Sequence, residues 1–393
     1  MLYCDESECC GCCACASICP NDVILMKRDS EAFFYPEKSP AGCADCGLCE
    51  TACPMKRAVE DIRKCAAPEA FALYHKDKQI LRSSSSGGAF TAIAQAFCDA
   101  GSAIFGASFS EDYHNVAHTC VTDLNNLSAH RKSKYIQSDI GDSYRQARDL
   151  LSSGKKTLFS GTPCQIAGLK SLLMGKDSPN LLTVDLICHG VPSQLVYAKY
   201  LEYLKSMYGG SVVSVDFKNK EKFGCGTNVK VGLAKKKALH TMGADDPFII
   251  AFLSGLCLRP SCHACPFATT PRISDFTIGD LWGAEEIVPH LDSDTGLSVL
   301  LANTEKAKKL LPDIQRFSHI EAIDLLKVAE HNSNLREPSP PNPKRGQFMA
   351  DVNKEPFRDV VRAYLKPRPA IHRLAARVLS KKAKKRLKAI LRR

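Results

Sequence analysis

No stretch of the 393 residues is apolar for the roughly 18 positions that a membrane-spanning helix needs. The start of the chain lacks the basic opening and apolar core of a secretory signal. Neither G-x-G-x-x-G nor G-x-x-x-x-G-K-[ST] occurs, so no nucleotide site of the common kinds is marked by a motif. Tryptophan is nearly absent: Trp282, in SDFTIGDLWG, is the single one. From Arg368 to Arg393 there are no acidic residues and no aromatics, while Lys and Arg fill eleven positions. The chain carries a net charge of +11, so this tail accounts for all of it and the remainder sums to zero. These absences argue against a membrane-spanning or exported protein, and against a basic nucleic-acid-binding domain. The expectation is a cytoplasmic protein.

Cysteine, by contrast, is abundant. There are 20, and in a reducing compartment they read as metal ligands or redox groups, not as disulfides. The run ECCGCCACASICP holds six between residues 8 and 20. The later run CADCGLCETACP, residues 43–54, has the spacing C-x2-C-x2-C-x3-C-P. Laid on the first run, that template selects Cys9, Cys12, Cys15 and Cys19, followed by Pro20, and leaves Cys10 and Cys13 out of register. Such a run suits a cubane iron–sulfur cluster, and in two-cluster ferredoxins the cysteine before proline crosses to the other cluster. Cys9, Cys12, Cys15 and Cys53 are therefore expected to hold one 4Fe-4S cluster, and Cys43, Cys46, Cys49 and Cys19 a second. Zinc motifs offer C-x2-C pairs and fit the doubled run poorly. Cys4, Cys10, Cys13 and Cys65 read as spare thiols.

The rest of the chain alternates in character. KTLF (156–159), LLTVDLI (181–187) and VVSVDF (212–217) read as strands, and residues 89–100 and 143–153 have helical spacing. That alternation predicts an α/β domain with a largely parallel sheet. The expected organisation is a two-cluster ferredoxin-type domain over 1–62 and an α/β domain over 70–335, in parts 70–150 and 155–335. A Pro-rich linker, residues 336–346, leads to a basic helix, residues 370–393.

Two strand ends carry cysteine: Gly161-Thr162-Pro163-Cys164 before a helix, and Cys188-His189-Gly190 after a strand. In open parallel sheets ligands bind beyond the carboxyl ends of strands. A helix N-terminus after Cys164 would also favour a thiolate. With Cys262 and Cys265 of a C-x2-C pair, these make four candidate ligands for a third cluster, with Cys257 in reserve. Spacing alone equally allows two core thiols and an unrelated pair. RSSSSGGAF (82–90) reads either as a phosphate- or flavin-cradling loop or as a serine helix cap. His189 is a candidate for proton delivery, although a histidine at a strand end is more often structural.

Taken in order, SSSSGGAFTAIA, SKYIQSD, LFSGTPCQIAGLK, DLICHGVPS, and LRPSCHACPFA through SDFTIGDLWG resemble the coenzyme F420 hydrogenase/dehydrogenase beta-subunit family. The form resembled has an N-terminal two-cluster ferredoxin-type domain. The resemblance implies an iron–sulfur flavoprotein oxidoreductase with FAD in the α/β domain beside a 4Fe-4S cluster. It implies Cys164, Cys188, Cys262 and Cys265 as ligands of that third cluster. It implies Ser85, Ser86, Gly87, Gly88, Lys134 and Gln137 as flavin contacts. The partners implied are a ferredoxin-like or flavodoxin-like electron donor and a small organic substrate taking two electrons. One alternative is a non-catalytic electron-transfer subunit that serves a separate enzyme. Another is an adaptor with structural clusters, binding a membrane or nucleic acid through its tail. A basic amphipathic tail suits an anionic surface, such as the inner face of a membrane. Without aromatics it is poorly suited to stacking on bases.

Overall fold

Leu181–Leu186 and Thr157–Gly161 are buried along most of their length, as strands covered on both faces must be. In the computed structural model, which describes residues 7–176 and 178–367, they form the middle of an eight-stranded sheet. The expected basic helix and Cys4 lie outside the described residues.

Two strands at the N-terminus, β1 (Ile24–Arg28) and β2 (Phe34–Lys38), form an antiparallel hairpin. The large sheet takes up β3 (Glu69–His75), β4 (Ala103–Phe109), β5 (Val116–Val121), β6 (Thr157–Gly161) and β7 (Leu181–Leu186). A separate antiparallel sheet is made by β8 (Val212–Asp216), β9 (Val229–Leu233) and β10 (Leu239–Thr241). The stretch VVSVDF is thus a strand of this smaller sheet. The chain then returns to the large sheet with β11 (Phe276–Asp280), β12 (Ser298–Ala302) and β13 (Ser318–Ile323). The order is β13-β3-β12-β11-β7-β6-β4-β5. Strands β11, β7, β6 and β4 run parallel, and antiparallel strands extend the sheet on both sides.

Side-chain alternation divides the core into two. Ile104, Leu158 and Leu182 point to the face covered by helices Ala89–Phe97 and Glu305–Phe317. Phe105, Phe159 and Leu181 point to the other, covered by helices Ser143–Ser152 and Pro163–Leu172. The second of these begins with proline at its first turn and a Thr162–Gln165 capping box, so its start is fixed by local chemistry.

The cysteine-rich N-terminus shares this second core. Cys10, Cys12, Cys13 and Ala14 are buried with Phe105, Tyr144 and Leu169. Arg145 donates to the carbonyls of Ser17 (2.8 Å) and Ala16 (3.1 Å) at the end of helix Ala14–Ile18. Arg345 donates to Leu258 O (2.7 Å) and pairs with Glu31 of the β1–β2 turn. The Pro-rich stretch packs as a strap: Ser339 is buried and donates to His189 O at 2.6 Å.

The Ser/Gly loop packs against the end of β3 and the start of β12. Gly87 O accepts from His75 N at 2.7 Å, and Gly87 N donates to Ser298 Oγ at 2.8 Å. A Cβ on Gly87 would land on the Leu73 carbonyl oxygen and reach Ser298 N at 2.6 Å. Gly87→Ala is therefore expected to destabilise the protein by about 1–3 kcal/mol. Anaerobic urea unfolding checks this; a variant with unchanged midpoint contradicts the packing described.

Candidate functional site

The first two cysteine groups line two neighbouring cavities. One cavity is lined by Cys9, Cys12, Cys15 and Cys53, with Cys10, Cys13, Met26, Pro36 and Met55 around them. A second is lined by Cys19, Cys43, Cys46 and Cys49, and Cys49 touches both. The cysteines before proline, Cys19 and Cys53, therefore stand with the opposite run. Turning the chain so sharply uses left-handed backbone at Gly11 (φ 64°) and Gly47 (φ 71°). Burial raises the thiols of Cys9 and Cys15. Among the described residues no three His, Cys, Asp or Glu side chains converge tightly enough for a single ion. A cubane spreads four sulfur ligands around eight core atoms, a wider ring than zinc's tetrahedron.

The third group assembles from three parts of the chain. Cys164 sits in the first turn of helix Pro163–Leu172, Cys188 follows β7, and Cys262 lies within, and Cys265 just after, a short 3-10 turn, Pro260–Ala264. Burial pushes Cys188 well up, and the neighbouring thiols of Cys262, Cys164 and Cys265 add to it. Burial likewise holds Cys262 at about 12 and Cys265 at about 11. Gly190, at φ 130°, passes so close that a Cβ there would meet Cys262 Cβ at 3.2 Å. Cys257, the reserve ligand, is buried in the apolar core beside the small sheet. Cys10, read as spare, is buried between the first and third groups, its thiol beside those of Cys12 and Cys164. Cys12 also presses on helix Pro163–Leu172, where Gly168 leaves room for its sulfur.

Beside the third group, the carboxyl ends of β4, β6, β7 and β11 open into a cleft of about 430 Å³. That is within the range of small-molecule and cofactor sites. Ser85, Ser86, Gly88, Lys134, Gln137, Cys188 and His189 line it; Gly87 lies behind, in the loop's packing. The serines are structural in their bonds. Ser85 Oγ accepts from Ser133 N (2.7 Å), and Ser86 Oγ donates to Leu297 O (2.6 Å). Neither caps the next helix, whose N-cap is Gly88 in a left-handed conformation. Its first turn, Ala89 to Thr91, opens onto the cleft, with Arg131 donating to Thr91 Oγ1 at 3.1 Å.

Lys134 and Gln137 face the cleft with their polar atoms already occupied. Lys134 donates to the carbonyls of Ala129 (2.8 Å) and Arg131 (2.7 Å), and burial lowers it to about 7. Gln137 donates to Cys10 O (3.0 Å) and accepts from Arg259 (3.2 Å), so it ties the cluster loop to the domain. His189 has Nδ1 3.1 Å from Ser339 Oγ and its ring edge-on to Phe252; burial lowers its pKa.

Other cleft residues carried little signal in the sequence. His118 stacks on Phe159 and joins Ser160 O and Ser138 Oγ, each at 2.9 Å. Ser160 O only accepts, so Nε2 carries the proton and Nδ1 accepts from Ser138. His130 meets Thr119 Oγ1 at 2.9 Å. Trp282, 46% exposed, stands at the mouth, with the Lys218 ammonium 5.3 Å from its ring centre. Lys218 itself is buried and paired with Asp280 at 2.5 Å. Isolated histidines in a strand and a loop, and a lysine after a strand, form no spacing a sequence reading can seize.

Burial lowers both His118 and His130 from 6.5 to about 4. The unfolded chain binds these protons first as pH falls, so stability is full above about 6.5 and declines toward 4. At pH 5 each histidine is expected to have cost on the order of 2 kcal/mol. His118→Gln should flatten that decline in urea unfolding between pH 7 and 5. An unchanged slope would show that His118 is not held neutral.

Residues 154–327 match the family model for the C-terminal part of the coenzyme F420 hydrogenase/dehydrogenase beta subunit. The matched span includes Cys164, Cys188, His189, Cys262 and Cys265. Among solved structures, a chain of the F420-reducing NiFe hydrogenase complex from Methanosarcina barkeri is similar, at 17% identity and a TM-score of 0.48. The similarity covers 68% of this chain and 89% of that one. No curated protein matches. The clustered cysteines and the family match together point to iron–sulfur redox chemistry. The family match over residues 154–327 agrees with the resemblance read from the motifs in that span.

Proposed function

We propose that this chain is a cytoplasmic iron–sulfur flavoprotein oxidoreductase. It passes electrons between a ferredoxin-like or flavodoxin-like donor, three 4Fe-4S clusters, FAD and an organic substrate that takes two electrons. The observation that carries this reading is that Cys188 belongs to two places at once. Its thiol stands with Cys164, Cys262 and Cys265, and the residue also lines the cleft. A cluster held there would abut whatever occupies the cleft.

The residues fit the groups assigned to them. Cys9, Cys12, Cys15 and Cys53 would hold the first cluster, and Cys19, Cys43, Cys46 and Cys49 the second. The second group is the point of electron entry, since Cys46 is exposed. The helix N-terminus at Gly88, with Arg131 and Lys132 beside it, would receive the phosphates of FAD. Bound FAD would supply the conversion between a two-electron transfer and the single electrons that clusters carry. Ser85, Ser86, Gly87 and Gly88 shape the cleft wall by backbone packing, and Lys134 and Gln137 fix loops behind it. His189, held neutral by burial, is the side chain proposed to accept or return a proton at the strand end. Trp282 gives the mouth a flat apolar face for substrate.

The family's description as a beta subunit favours one second reading, an electron-transfer subunit that works inside a complex. Anaerobically purified protein separates the two. The first reading predicts about twelve irons (three clusters of four) and one flavin per chain, with turnover of an organic substrate by the chain alone. Cys188→Ala should lower the iron count by about four. About eight irons without flavin in the wild-type protein would contradict it.

A further inference from the structure

Arg259 is the largest fully buried side chain in the described structure, at 0% exposure. It precedes Cys262 by one turn, and Cys262 N donates to Arg259 O at 3.0 Å. Its side chain crosses to the N-terminal segment. Nε donates to Cys9 O at 2.6 Å, one terminal nitrogen to Phe34 O at 2.8 Å, and the other to Gln137 Oε1 at 3.2 Å. The guanidinium carbon lies 4.3 Å from the ring centre of Tyr35 and 5.5 Å from that of Phe33. It also lies against Gly11, where a Cβ would meet the guanidinium at 2.7 Å.

Those contacts give each guanidinium nitrogen one acceptor but do not cancel the charge. Arginine carries its charge into the interior, and a buried charge is costly unless an opposite one faces it. Among the described residues no carboxylate forms an ion pair with Arg259. Its guanidinium lies on the Cys9–Gly11 loop, and its own backbone leads into the turn that carries Cys262, so it stands between two cysteine groups.

We propose that Arg259 is a shared counter-charge for two iron–sulfur clusters, those of the Cys9 and Cys164 groups, and that it sets their potentials. The proposal rests on the cluster assignments given above. Each cluster, already anionic with its thiolates, gains one more negative charge when a ferredoxin-like donor delivers one electron. A fixed cation in a low-dielectric interior favours that reduced form. Sharing the cation also links the clusters: reduction of one draws on the field that favours reduction of the other. The Cys19 group lies outside Arg259's contacts. Arg259 is thus a positioning and tuning residue, touching the cluster loops through their backbone.

The test is EPR-monitored redox titration of anaerobically purified full-length protein. In Arg259→Gln, two clusters are expected to become at least tenfold harder to reduce, about 59 mV for one electron, while the third is unchanged. Arg259→Lys keeps the charge but not the planar fork. It should hold both potentials within threefold of wild type while unfolding at lower urea. Should Arg259→Gln fail to retain iron, Gln137→Glu sets a carboxylate against the same guanidinium, with the same two clusters shifting. Unmoved potentials in an iron-loaded charge variant, or equal shifts in all three clusters, would overturn the proposal. Wild-type iron counts separate the two failures. If the Cys164-group cluster is missing, the relay reading falls, and Arg259 is then judged on the Cys9 group alone.

Discussion

The architecture depends on one buried contact, the Arg259 guanidinium reaching across to Cys9 O and Phe34 O. The N-terminal cysteine loops have little core of their own: a hairpin, short helices and a few apolar side chains. They become ordered by lodging Cys10, Cys12, Cys13 and Ala14 in the core that Phe105, Tyr144 and Leu169 already form. Arg145 and Arg345 fasten the two ends of that segment, at Ser17 and Glu31. Arg259 fastens its middle, where the cysteine density is greatest. Removing it would leave two buried carbonyls unpaired, at about 1–3 kcal/mol each.

From that contact the arrangement of the sites follows. Parallel strands end together, so β6 and β7 bring Cys164 and Cys188 to one rim. The Pro260–Ala264 turn carries Cys262 and Cys265 to the same rim, and Arg259 begins the turn. Because Arg259 holds both this turn and the Cys9 loop, the first and third cysteine groups are neighbours across Cys10 and Gly168. The cleft lies on the far side of Cys188. Arg131, beside the Gly88 helix start, suits an anionic occupant there, while the exposed Trp282 adds an apolar face to the lining.

What was legible in the sequence was local or repeated. The doubled C-x2-C-x2-C-x3-C-P run announces two groups of four, and the crossing of Cys19 and Cys53 follows from the same pattern. Strands β6 and β7 announce themselves by short runs rich in apolar and β-branched residues, and the cysteines that follow them are marked by position. What was not legible was set by distant partners. VVSVDF reads as a strand, but no pattern says that it leaves the main sheet. Proline-rich sequence reads as a linker, yet Ser339 finds His189 150 positions away. Gln137 and Lys134 are marked as flavin contacts by the family resemblance alone; folding also brings backbone carbonyls to both and Arg259 to Gln137. Arg259 gives no signal at all, because its burial depends on Phe33, Tyr35 and Cys9, which sit more than 200 positions earlier.

The most direct test of the account is anomalous diffraction at the iron edge from anaerobically grown crystals. The account predicts three compact iron positions. They would lie among Cys9, Cys12, Cys15 and Cys53; among Cys19, Cys43, Cys46 and Cys49; and among Cys164, Cys188, Cys262 and Cys265, with Arg259 between the first and third. Iron at the two N-terminal positions only, with Cys164 and Cys188 bearing free thiols, would contradict it.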